Sequence, residues 1–280
     1  MTIKVERVDA ICGARVTGLD LSKPLTAAGI AALREHWLTH KVLVFPDQSL
    51  SHMDLERLTQ DFGGFGEDPF FGTIDGSDHI AAIRRDADET TPIFAEFFHT
   101  DWSFLPVPPA GTMLYSIKIP PMGGNTLFAD QVKAYNNLTD ELKAQADDLI
   151  AIHSARLGYS RDGAYGDKDK GRSMDIIADD RALEECEHPF VRIHPETGQK
   201  ALFSSPAYIV RFKDKSPQES QRLLMEYYRA QTDEALIYSH RWEPNMLVIW
   251  DNRSLLHAAT GGYEGHARLL HRTTIADKRF

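Results

Sequence analysis

From about residue 80 onward the chain is a succession of short apolar runs closed off by turn-forming residues, and this rhythm restricts the fold more than any other feature. The runs are His79–Arg84, Thr112–Ile119, Asn125–Phe128, Val191–His194, Lys200–Phe203, Met246–Trp250 and Arg268–Ile275. Segments rich in β-branched and aromatic residues and bounded by Gly, Pro, Asn and Asp read as strands. Helical signals are few. Thr26 is an N-cap for a helix over 27–39 whose apolar positions are Ile30, Leu33 and Trp37. Ser51 opens a second helix with an S-x-x-D start, and Gly63–Gly64 closes it. A third helix covers 139–150, and a fourth follows Ser216-Pro217-Gln218-Glu219, a capping box with proline at the first helical position. Between the first two, KVLVF at 41–45 reads as a buried strand. Many short strands with few helices predict a mainly β chain, a barrel or jelly roll with helices packed outside.

The 280 residues show no repeat and no Pro/Gly/Ser-rich linker, so one domain over 1–280 is expected. One stretch stands apart: 158–187, which opens GYSRDGAYGDKDKGRS, is polar and strongly charged, and reads as a lid or as a solvated insertion. Lys and Arg number 31 against 41 Asp and Glu, a net charge of −10, which argues against nucleic acid and anionic membrane as partners. An anionic substrate would then need a local basic pocket. The two cysteines, Cys12 and Cys186, have no metal-binding spacing and imply a reducing compartment. The first residues, MTIKVERVDA, contain no signal-like apolar run, so a soluble, cytoplasmic protein is expected.

The chemistry concentrates in FFHTDWSF, 97–104. In an extended strand alternate side chains share a face, so His99 and Asp101 would point the same way. An imidazole and a carboxylate so placed, with one further histidine, make the two-histidine, one-carboxylate facial triad of non-haem Fe(II) oxygenases. An isolated H-x-D is common by chance, and a surface strand with two polar residues is the competing reading. The further histidine is His257, at the end of MLVIWDNRSLLH, or one of His240, His266 and His271. In the last run, RLLHRTTI, alternation puts Arg268, Leu270, Arg272 and Thr274 on one face and His271 on the other. Arginines facing a barrel interior are tolerable only if each meets an anion, and arginine is the side chain best matched to carboxylate or sulfonate.

With these segments assembled, the chain resembles the taurine dioxygenase-like (TauD/TfdA) family, which includes chlorophenoxyacetate dioxygenases and alkylsulfatases. The resemblance spans nearly the whole chain: GARVTGLDLSKPL, KVLVFPDQ, FHTDWSF, PPAGTMLY, PPMGGNTLFAD, HPETGQKALF, WDNRSLLHAA and RLLHRTTI, in order. It implies a double-stranded β-helix, a jelly-roll barrel with peripheral helices. It implies Fe(II) on His99, Asp101 and His257, the two histidines 257 − 99 = 158 residues apart. It also implies 2-oxoglutarate with its distal carboxylate on Arg268 and Thr126, and the acidic group of a small organic substrate on Arg272. The family's reaction uses O2, releases succinate and CO2, and hydroxylates the substrate; its members commonly form homodimers or tetramers.

Two departures argue against taurine itself. Where the family's taurine enzymes carry a sulfonate-binding histidine, Phe71–Ile74 has none and Thr73 takes its place. Where they carry an asparagine, this chain has Phe94-Ala95-Glu96. A sulfonate, sulfate ester or aryloxy or alkyl carboxylate remains the expected substrate. Trp102, Phe104 and Tyr208 are candidates to line its pocket, and Trp250 reads as a core residue. Two other classes compete: a zinc hydrolase with three protein ligands, and a catalytically silent small-anion-binding protein on the same fold. The first gives no reason for Thr126, Arg268 and Arg272 to stand at the family's positions, and the second would be expected to lack a residue of the triad, all three of which are present.

Overall fold

The computed structural model describes residues 3–277, so both ends of the expected 1–280 domain lie outside the described residues. The chain is sheet-rich with few helices, and its strands form four separate sheets. The largest sheet has seven strands in the order Lys4–Arg7, Ala14–Thr17, Val42–Phe45, Leu247–Asp251, Gly111–Lys118, Arg268–Ile275 and Ala81–Arg85. A three-stranded sheet, Ile237–His240, Thr126–Asp130 and Leu255–Ala259, packs against it. Among the described residues the strands do not close into a hydrogen-bonded barrel.

Strand alternation explains the two layers. Val42, Val44, Leu114, Val248, Trp250 and Leu270 point inward, where they meet Phe128 and Leu255 of the smaller sheet. Their neighbours Leu43, Phe45, Met113, Tyr115, Leu247 and Ile249 point outward, against Leu33 and Trp37 of the helix Ala27–His40 and Leu55, Leu58 and Phe62 of the helix His52–Phe62. The continuous apolar run at 42–45 is therefore buried on both faces, as such runs in covered sheets are.

The anticipated caps are in place. Thr26 accepts from Gly29, Ser51 and Asp54 form a capping box, and Ser216 and Glu219 form another with Pro217 leading the helix to Gln231. The helix expected over 139–150 stops at Asp147, because Ile150–His153 is drawn into a sheet between Cys186–Pro189 and Ile209–Phe212. The short helix Gln131–Asn137 and the strands Ile237–His240 and Leu255–Ala259 carried no clear periodicity and went unread. FFHTDWSF is not a strand: His99 makes a single bridge to His257, and residues 101–104 form a turn. Cys12 and Cys186 are both free thiols. Among the described residues, no helix is long and apolar enough to cross a membrane.

One glycine marks the tightest junction between layers. A Cβ on Gly111 would lie 2.5 Å from Cζ2 of Trp37 and 2.6 Å from the Trp250 carbonyl oxygen. Neither neighbour can yield, since Trp37 is fully buried and the carbonyl belongs to the central strand. Gly111→Ala is expected to cost about 1–3 kcal/mol of overpacking, seen as a lower urea midpoint at unchanged slope. Wild-type stability would show that the junction gives way.

Candidate active site

The site is built where the last strand of the large sheet faces the small one. Arg268–Ile275 pairs with Gly111–Lys118 and Ala81–Arg85, with a register shift between Leu269 and Leu270. Arg268, Leu270 and Arg272 turn into the space between the sheets, as alternation predicts. The opposite face meets the helix His52–Phe62: His271 packs on His52 at 4.9 Å between rings, and Thr273 bonds Thr59 at 2.7 Å. His271 is thereby removed as a ligand. His240 bonds Tyr238 at 3.0 Å, and His266 is exposed in a turn, so both are displaced from the site as well.

His257 lies on Leu255–Ala259, and a reciprocal pair of backbone hydrogen bonds, 2.9 and 2.7 Å, clamps it to His99. From that bridge the chain enters a turn in which Trp102 adopts φ +47°, and this turn, rather than strand alternation, brings Asp101 back towards both rings. Asp101 Oδ1 sits 3.8 Å from His99 Nε2 and 3.7 Å from His257 Nε2. All three side chains are buried, and no other such cluster occurs among the described residues. The Phe97 carbonyl can only accept, so the His99 Nδ1–H donates to it at 2.9 Å and the Nε2 lone pair is left facing Asp101.

The charge states suit a cation. Burial holds both imidazoles below their ordinary range, His257 at about 3, so each is neutral with a free lone pair. Burial alone would raise Asp101, but Arg272 and the two histidines outweigh it and hold the carboxyl at about 2. Two neutral imidazoles and one carboxylate, converging in a buried pocket, could hold a divalent metal and leave positions open.

Behind Asp101 runs a chain of support that sequence reading missed. The Thr112 hydroxyl donates to Asp101 Oδ2, the Asn252 amide donates to Thr112 Oγ1 at 3.0 Å, and the Trp250 indole donates to Asn252 Oδ1 at 2.9 Å. Asn252 is the middle of this chain, and Trp250 is both core and support. One signal was available: alternation puts Thr112 on the same inward face as Leu114, where a hydroxyl is out of place unless it has a partner. Thr112→Val is expected to weaken metal binding about 10- to 100-fold, measured by competition with a chromophoric chelator, and to cost about 1–3 kcal/mol of stability because the buried Asn252 amide loses its acceptor. Unchanged affinity would show that Asp101 needs no such support.

One cavity is lined by His99, Asp101, His257, Thr126, Arg268 and Arg272. Arg268 is buried, its Nε has no hydrogen-bond partner, and among the described residues no carboxylate lies within ion-pair distance. Burial lowers its guanidinium to about 10, still charged at neutral pH. Thr126 Oγ1 accepts from the Trp242 indole at 3.0 Å, which leaves the hydroxyl proton free to be donated into the cavity. Gly124, at φ +65°, completes this end: a Cβ there would come within 3.2 Å of Arg268 Nε. A buried unpaired cation beside a free hydroxyl donor is a receptor for an anion.

Arg272 is placed differently. Its Nη2 lies 3.1 Å from Asp101 Oδ1, its Nη1 lies 3.6 Å from Asp68 Oδ1, and its guanidinium stands 5.0 Å from the rings of both Phe71 and Trp102. Trp102 thus supports Arg272 from within an aromatic cluster that includes Phe104. Tyr208 lines a second, apolar chamber of about 400 Å³ that shares Phe94, Ala95, His99 and Tyr159 with the first. Thr73 is a correction: it bridges to Ala81 and lines an outer depression with Glu56 and His79, and the residue that reaches the cavity from this segment is Phe71. The polar segment contributes Tyr159, Tyr165, Arg172 and Met174 to the cavity walls, and Glu89 anchors it by accepting from the Ser173 amide at 2.9 Å.

The sequence profile of the "Taurine catabolism dioxygenase TauD, TfdA family" matches residues 4–274. The chain is 32% identical over 271 residues to the (S)-phenoxypropionate/alpha-ketoglutarate-dioxygenase of Sphingobium herbicidovorans, covering 96% of this chain and 93% of that one. It is 30% identical over 278 residues to the alpha-ketoglutarate-dependent sulfate ester dioxygenase of Pseudomonas putida, covering 99% and 90%. Among solved structures, a taurine dioxygenase from Burkholderia xenovorans superposes with a TM-score of 0.81 at 27% identity, covering 99% of this chain and 92% of that one. AAD-2 in complex with Mn(II) and N-oxalylglycine superposes at 0.78 with 26% identity, covering 99% and 98%.

Proposed function

This chain belongs to the TauD/TfdA family of dioxygenases, and from that premise we propose how its own residues divide the work. The protein is an Fe(II)- and 2-oxoglutarate-dependent dioxygenase acting on small organic anions with O2. His99, Asp101 and His257 would hold the iron. Arg268 and Thr126 would hold the distal carboxylate of 2-oxoglutarate, and Arg272 the acidic head of the substrate. The observation that carries this assignment is a single cavity combining the neutral–neutral–anionic donor set with two buried arginines.

Iron and 2-oxoglutarate, when bound, supply the oxidising power for hydroxylating a C–H bond, with succinate and CO2 as co-products. The protein's part is placement and dryness. The roof over the cavity is aromatic, Phe71, Phe94 and Tyr159, and Tyr165 backs Phe94 at 4.8 Å between ring centres. We read residues 158–187, which supply two of these rings, as the lid, the chain as one domain, and the facing sheets as a double-stranded β-helix. The free thiols suit a cytoplasmic setting.

The adjoining apolar chamber extends the substrate reading. Its size suits a ring or a medium alkyl chain, and its walls are chiefly Phe, Tyr, Ala and Leu. A substrate with an anionic head at Arg272 and an apolar body fits; the ammonium end of taurine would meet apolar walls and lose its hydration.

Anaerobic addition of Fe(II) and 2-oxoglutarate is expected to give the weak visible charge-transfer band of the chelate. Once O2 is admitted, succinate release should follow addition of aryloxy acids or alkyl sulfates and fail with neutral analogues of the same shape. No band would remove the iron and cosubstrate assignment, and equal coupling of the neutral analogues would remove Arg272 from substrate binding.

A further inference from the structure

The two arginines of the cavity are chemically unlike. Arg268 faces no carboxylate, whereas Arg272 stands between two, Asp101 and Asp68. Asp101 belongs to the metal-binding donor set, so Asp68 is the one counter-charge that Arg272 keeps for itself. Asp68 is not part of the cavity wall; it sits behind the guanidinium on the loop that follows Phe65-Gly66. Both of its carboxylate oxygens are buried and neither receives a hydrogen bond; the Trp102 indole N–H leans on it electrostatically without completing one. At 3.6 Å its contact with Arg272 is a through-space charge interaction, not a hydrogen bond that fixes an orientation. A desolvated carboxylate with no donor of its own is costly to keep. What it does here is cancel charge.

We propose that Asp68 sets the charge of the substrate end of the site, so that Arg272 accepts a singly charged head group and turns away doubly charged ones. The consequence follows from Coulomb's law in a poorly screened pocket. The Arg268 end presents a full positive charge, and the Arg272–Asp68 end is close to neutral beyond the first contact. Attraction to Arg272 and repulsion from Asp68 both double for a dianion, but the cost of taking an ion out of water grows as the square of its charge, so an end whose two charges nearly cancel can hold a monoanion and not a dianion. The inference rests on the reading of Arg272 as the substrate's anion site.

The test compares benzenesulfonate with phenylphosphonate. They have the same shape, and at mildly alkaline pH they carry one and two negative charges. Binding to the Fe(II)–2-oxoglutarate protein is measured anaerobically by calorimetry. Wild type is expected to favour the sulfonate. Asp68→Asn is expected to tighten phosphonate binding about tenfold or more and sulfonate binding by about threefold or less, which shifts the ratio. Asp68→Glu restores the charge and is expected to restore the wild-type ratio. If Asp68→Asn fails to fold, the wild-type preference and the Asp68→Glu ratio decide: a wild-type protein indifferent to the second charge overturns the proposal. An unchanged ratio in folded Asp68→Asn overturns the role of Asp68 alone. Failure of both probes to bind both proteins removes the anion site at Arg272, and this proposal with it.

Discussion

Asp101→Ala is expected to abolish tight Fe(II) binding and, with it, succinate formation at any 2-oxoglutarate concentration. Asp101 carries the only negative charge among the three donors, and its Oδ1 is the atom common to both imidazole contacts. It is also the closer of the two carboxylates beside Arg272, at 3.1 Å. Its removal leaves two neutral histidines and a guanidinium around the place the cation would take, so attraction becomes repulsion. Taking one partner from a buried charged cluster costs about 3–5 kcal/mol, which would correspond to about 140- to 4000-fold in metal affinity. The measurement is an Fe(II) titration against a chromophoric chelator. Because Asp68 still faces Arg272, the variant is expected to fold, which circular dichroism checks. A variant that held iron like wild type would exclude Asp101 as a ligand.

Arg268→Met is the second large effect, and it runs in two directions. The side chain is buried, its Nε is unpartnered, and its guanidinium meets no carboxylate. In the cosubstrate-free protein a buried cation without an anion destabilises, so a methionine of similar length is expected to raise stability by about 1–3 kcal/mol. With cosubstrate the sign reverses. A bidentate guanidinium–carboxylate contact is worth about 1.5–3 kcal/mol per charged hydrogen bond, so the KM for 2-oxoglutarate should rise about 100-fold or more. Iron affinity should not move, since Arg268 touches none of the three donors. Thermal melts without cosubstrate and succinate kinetics over a wide 2-oxoglutarate range report the two halves separately. Loss of iron binding, or a lower melting temperature, would contradict the picture of an arginine held in readiness for an anion.

These effects connect to how the site could be read before its geometry was known. The strand Arg268–Ile275 was legible to the residue, and so was the face shared by Arg268 and Arg272, because a period of two survives burial. The resemblance groups His99, Asp101 and His257, and the structure brings the three side chains together; strand alternation does not align the H-x-D pair, since a turn carries Asp101. Thr73 was misplaced because loop positions after Gly66 carry no periodicity to say which side chain points inward. Asp68, on that same loop, gave no signal at all.

What the chain determined by itself is the alternation of inward and outward side chains, the helix caps at Thr26, Ser51 and Ser216, and the residue types able to bind a divalent metal and two anions. All are local: each depends on neighbours a few residues away, and backbone geometry forces them wherever the segment lies. Tertiary structure sets His257 beside His99 through a backbone bridge and carries His240, His266 and His271 elsewhere, a placement that the resemblance implies and that the local chemistry of four like imidazoles does not. It also decided that Thr112 and Asn252 stand behind Asp101, and that one arginine has a counter-charge while the other has none. Those outcomes arise from contacts between residues up to 204 positions apart, as in the Asp68–Arg272 pair, where 272 − 68 = 204. Electrostatics acts through space, and distance along the chain carries no record of it.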